Sequence, residues 1–77
     1  MNRRLLIDHL AQAELHVSLG EKHIAGQRAL IARLDDGQLD TGMALKILKT
    51  YLSTQKTHVA DRDRLSAELA CAGRARG

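Results

Sequence analysis

The sequence predicts an all-α protein: an antiparallel two-helix hairpin, coiled-coil-like, that pairs with a second copy into a dimeric four-helix bundle. Three observations carry this reading. Leucine and alanine dominate, proline, phenylalanine and tryptophan are absent, and Tyr51 is the single aromatic of that class. Leucine and alanine favour helices, whereas sandwiches and small barrels draw on aromatic and β-branched residues. Apolar residues also recur at alternating spacings of four and three on either side of one turn-like segment, which is the signature of a heptad seam. Finally, 77 residues with one cysteine cannot close a disulfide framework, and two helices alone bury little core.

Residues 1–72 read as a single domain. The first helix spans about 3–35, with its seam at Leu6, Leu10, Ala13, Val17, Gly20, Ile24, Gln27, Ile31 and Leu34. The break follows at Asp35-Asp36-Gly37-Gln38-Leu39-Asp40-Thr41-Gly42. Gly37 is placed to take the left-handed conformation that ends many helices, and Asp40 or Thr41 can cap the next one. The turn is expected at about 36–40. The second helix covers about 41–71, with Leu45, Leu48, Leu52, Gln55, Val59, Arg62, Ser66 and Leu69 continuing the alternation. Residues 73–77 hold two glycines and no seam residue, so they read as a frayed basic tail. A competing architecture breaks the first helix near Gly20, where Ser18 and Glu21 form a capping-box pattern. The uninterrupted four-three phase through Gly20 favours one continuous helix.

Folding the arms about the turn sets small residues against long ones: Gly20 near Gln55, Ala13 near Arg62, Val17 near Val59. Gln27, Gln55, His58 and Arg62 are then polar seam residues, with His16 and His23 beside them. Joined in one buried network, they would fix register and oligomeric state, as polar core residues do in coiled coils. Leu15, Leu19, Leu30, Ile47, Tyr51 and Leu65 fall off the stripe and form the expected dimer face.

His9, His16 and His23 repeat every seven residues along one edge of the first helix. Successive members are two turns, roughly 10.5 Å, apart, too far to share an ion, and the Glu-x-x-His pattern of di-metal bundles is missing. Half-buried histidines bordering a seam are the expectation, with no metal, catalytic residue or cofactor. A cross-hairpin site from His16, His58 and Asp61 is the metal alternative, and phosphotransfer through an exposed helix histidine is its companion. Phosphoacceptor bundles of sensor kinases usually place an acidic residue beside the histidine and a proline after it, and this chain has no proline.

The net charge is +3, and most of it is mixed, as in Asp61-Arg62-Asp63-Arg64. A hairpin gathers Arg3, Arg4, Arg74 and Arg76 at one tip, which gives a second reading as a nucleic-acid-associated accessory protein. Neither a stacking platform nor a helix-turn-helix pattern accompanies the tip. No apolar run reaches a membrane span, residues 1–8 are too poor in apolar residues for a signal peptide, and a lone Cys71 suits a reducing cytoplasm. The expected partners are a second copy and an unidentified protein.

One resemblance adds to this. His16-Val17, Gly20-Glu21-Lys22-His23-Ile24-Ala25, Gln27-Arg28, Leu34, Gly37, Asp40-Thr41, Ala44, Leu48, Gln55 and His58-Val59-Ala60-Asp61-Arg62-Asp63-Arg64-Leu65 together resemble a group of short bacterial helical proteins with no assigned activity. The likeness covers about residues 13–69 and departs at Leu39, where a polar residue is expected. It implies a free-standing small helical protein and carries no ligand, cofactor or catalytic residue. The expected function is therefore a non-enzymatic protein–protein interaction module, an adaptor or regulator.

Overall fold

A computed structural model describes Asn2–Ala75, with side chains as far as Ala72. Two helices, α1 (Arg3–Asp36) and α2 (Gly42–Ala75), pack side by side in opposite directions. The rod measures 60 × 15 × 14 Å. The fold is an all-α helical hairpin.

Helix α1 starts where the Asn2 side chain accepts a hydrogen bond from Leu5 N–H at 2.8 Å, which satisfies one of the free amides of the first turn. It then runs unbroken through Ser18, Gly20 and Gly26, so the break near Gly20 does not occur. Interior glycines each cost about 1 kcal/mol relative to alanine, and packing along the seam outweighs that. The α1 seam is the expected one: Leu6, Ala13 and Val17 are buried, and Leu10, Gly20, Ile24, Gln27, Ile31 and Leu34 are half-buried.

The turn sits one residue later than expected. Leu39 N–H donates to Leu34 O (2.8 Å) and Gln38 N–H to Asp35 O (2.9 Å), the paired bonds of a Schellman motif. In that pattern the left-handed residue is Gln38, with φ 56°, while Gly37 keeps φ −82°. Helix α1 extends through Asp36, which moves the left-handed position past the glycine. The Asp40 carboxylate accepts from Gly42 N–H at 2.9 Å and Thr41 O accepts from Leu45 N–H at 2.9 Å, so both residues act in starting α2.

Helix α2 departs from its expected seam in alternate members. Thr41, Ala44, Leu48, Tyr51, Gln55, His58, Arg62, Leu65, Leu69 and Ala72 face α1, whereas Leu45, Leu52 and Ser66 are exposed and Val59 alone of the alternate members stays half-buried. The shift moves Tyr51 and His58 into the interface. Leu65, expected on an outer dimer face, is 3% exposed and packs with Leu6 and Ala13, flanked by Leu10, Leu69 and Ala72. Leu65 is therefore a core residue, and it takes the place beside Ala13 that Arg62 was expected to fill. The tail expected from residue 73 is helical as far as Ala75. The side chain of Arg74 is not described, and Arg76 lies outside the described residues. Among the described residues, no helix is long and apolar enough to cross a membrane.

Candidate functional site: the histidine flank

Two residues lock the register of the hairpin. Gln55 lies against α1 and donates from Nε2 to Val17 O at 2.9 Å. Gln27 does the same in the other direction, reaching Ala44 O at 2.9 Å. Each amide crosses the interface to a main-chain oxygen of the opposite helix. Gln55 can approach this closely because Gly20 has no side chain: a Cβ built there would overlap Gln55 Oε1 and stand 2.7 Å from its Cδ. That Oε1 is buried and has no hydrogen-bond partner, a cost that an acceptor with no donor in reach bears in any apolar contact.

The polar seam residues do not join in one network. Gln27 and Gln55 bind separate carbonyls, and half-buried Arg62 turns to Asp63, with Nη2 at 3.0 Å from Oδ1. His58 lies next to His16 across the interface, with ring centroids 5.2 Å apart and planes tilted by 43°. One step along, His23 stacks on Tyr51 at 5.5 Å and 28°. The heptad spacing of His16 and His23 matches that of Tyr51 and His58 on the antiparallel arm, so one register forms both pairs.

These rings line a shallow concavity of about 160 Å³ with Leu19, Gly20, Thr54 and Gln55. The surface continues through His9 and Gln12 towards Asp61. Helical periodicity places Leu30 and Ile47 on the same side. Of the expected dimer face, Leu19, Leu30 and Ile47 therefore sit here with Tyr51, all but Tyr51 exposed by 36–41%. Leu15 projects from the back of α1 and is 51% exposed. On α1, the row bordering the seam on this flank is His9, His16, His23 and Leu30, whereas the opposite flank carries Glu14, Glu21, Arg28 and Asp35.

Asp61 does not reach the His16–His58 pair; it is held by Arg64 at 2.8 Å, and Arg64 also binds Glu68 at 2.9 Å. Hydrogen bonds first to Asp61 and then to Glu68 hold the Arg64 guanidinium above its ordinary range, so it stays a cation. Among the described residues, no three histidine, cysteine or carboxylate side chains converge as metal ligands. At the basic end, Arg3 and Arg4 are exposed, and Arg4 stands 3.8 Å from Asp8. Leu6 and Ala72 share one cluster, which brings the start of α1 and the end of α2 to the same tip.

The heptad shift in α2 is what the sequence reading missed here. Its signal is available: Ala44, Tyr51, His58 and Leu65 also recur every seven residues. No protein-family model, curated protein or solved structure matches the chain.

Proposed function

We propose that this hairpin is a non-enzymatic protein–protein interaction module that works as a homodimer, pairing through the histidine flank into a four-helix bundle. The observation that carries the reading is how little the single chain buries. Among the described residues, only Leu6, Ala13, Val17, Ala44 and Leu65 form its core, while ten large apolar side chains, from Leu5 to Leu52, remain exposed by a third or more. A hairpin with so thin a core needs a further surface to fold stably, and a two-fold copy is the commonest way to supply one.

The choice of flank rests on the charge of the α1 rows. Interface centres are poor in charged residues, and the α1 row of the histidine flank has neither a carboxylate nor a lysine or arginine between His9 and Leu30, with Asp61 and Arg64 of α2 standing at one end of the flank. The opposite flank would set Glu14 and Glu21 in the contact. The wider role, as adaptor or regulator, follows from a surface built for helix-face contacts.

The test compares flanks by light scattering. A Leu19→Glu, Ile47→Glu chain is expected to lose the dimer, and a Leu45→Glu, Leu52→Glu chain to keep it. The reverse result would move the interface to the other side. A second reading, in which the exposed Arg3 and Arg4 tip touches nucleic-acid phosphates, predicts duplex binding that falls steeply with salt.

A further inference from the structure

The pairing of His16 with His58 has a centroid spacing that two imidazoles sharing one metal ion would also have. An imidazole nitrogen binds a late first-row metal ion at about 2.0–2.1 Å, which places the ring centroid roughly 3.2 Å from the ion. Two rings meeting at a tetrahedral angle then have centroids roughly 5.2 Å apart. His16 and His58 stand at 5.2 Å. They come from opposite helices, and the glutamine anchors on α1 and α2 hold their register.

Two ligands make half of a tetrahedral shell, and the position of the pair shows where the other half comes from. His58 lies at the midpoint of α2 (Gly42–Ala75), and His16 within one turn of the midpoint of α1 (Arg3–Asp36). In a two-fold dimer whose rods overlap fully, residues at mid-length face their own symmetry mates whether the axis runs along the rod or across it. A pair near either end would do so in only one of these arrangements. The two rings also line the concavity of the flank that pairs.

We infer that His16 and His58 of each copy together bind one divalent late transition-metal ion of the zinc class, in a shell of four imidazoles at the centre of the homodimer. The inference rests on the pairing proposed above. Neutral imidazole is the ligand form, borderline-soft ions of this class prefer it, and a closed four-ligand shell is structural, with no open position for catalysis. The ion would tie the two hairpins together at the level where Gln55 fixes each of them internally.

The experiment uses untagged full-length chain, stripped with a chelator and titrated with Co²⁺ while mass is followed by sedimentation. The expected result is one Co²⁺ per two chains, with the intense visible bands of tetrahedral coordination, displaced by Zn²⁺. His16→Ala and His58→Gln are each expected to weaken binding at least tenfold with helicity unchanged, and His9→Ala to leave it intact. A chelated monomer that becomes a dimer at one ion per two chains also supports the site, and makes the pairing metal-dependent. A chelated dimer that takes up no Co²⁺ overturns the site and leaves the pairing standing. Uptake of one ion per chain, octahedral spectra, or binding insensitive to both substitutions overturns the shared site. A chain that stays monomeric with and without the ion overturns both.

Discussion

Gln55 occupies the space that a side chain at Gly20 would fill, and its amide closes that contact by donating to Val17 O, one turn earlier on α1. The glycine weakens α1 locally and in exchange admits a cross-helix bond that sets where α2 lies along α1. This exchange explains an interior glycine that helix propensity alone disfavours.

Gly20 and Gly26 should therefore respond oppositely to alanine. A Cβ at Gly26 meets nothing within 4 Å, so Gly26→Ala is expected to gain about 1 kcal/mol of helix propensity. Gly20→Ala displaces a buried amide and is expected to lose about 1–2 kcal/mol net, because the lost bond and the stranded Val17 contact exceed the propensity gain. Urea unfolding of Gly20→Ala, Gln55→Ala and the double variant should give a coupling of about 1 kcal/mol or more. Additive losses would show that the two residues do not depend on each other.

At the turn, Gln38 and not Gly37 carries the positive φ, 56°. Gln38→Gly is expected to stabilise the hairpin by about 0.5–1 kcal/mol through relief of left-handed strain. Gly37→Ala, at φ −82° and with only ordinary contacts around a new Cβ, should be neutral or gain up to about 1 kcal/mol. Thermal melts of the two variants decide this, and a destabilising Gly37→Ala would return the left-handed position to the glycine.

The corrected phase of α2 makes a third contrast. Leu65→Ala empties a core position and is expected to cost about 2–4 kcal/mol. Leu45→Ala removes a side chain that is already 49% exposed and should cost less than about 1 kcal/mol. Equal losses would mean that the two leucines are buried alike.

Asp40 offers a fourth test, since its carboxylate accepts from Gly42 N–H at the start of α2. Asp40→Ala is expected to lose about 1 kcal/mol, and Asp40→Asn, which keeps an acceptor, to lose less, as read from unfolding midpoints. A loss of the same size in both would trace the effect to charge.

The seam of α1 was fully legible in the sequence because every row beside it is polar, small or histidine over most of its length. In α2 two rows compete: Leu45, Leu52 and Val59 on one side, Ala44, Tyr51 and His58 on the other. Hydropathy ranks the first row higher, yet the structure exposes Leu45 and Leu52, leaves Val59 half-buried and faces α1 with the second. The partner helix decides this: Gly20 leaves room for Gln55, and His16 and His23 offer ring faces to His58 and Tyr51. Such complementarity depends on both arms at once, and a pattern read along one arm does not contain it. The Gly20–Gln55 contact was legible for the opposite reason, since a small residue facing a long one requires only the fold-back. The polar seam was expected to be one network, but Gln27 and Gln55 each find a nearer acceptor in a main-chain carbonyl.

In the dimer proposed above a single hairpin is incomplete and two copies share a core. Sedimentation equilibrium of the wild-type chain, chelated and with Zn²⁺ added, across a range of concentrations tests it most directly. A shared core predicts a folded species of twice the 8.5 kDa chain mass that dissociates and loses helicity together on dilution. A stably folded 8.5 kDa monomer at every concentration, both chelated and with the ion, would contradict it.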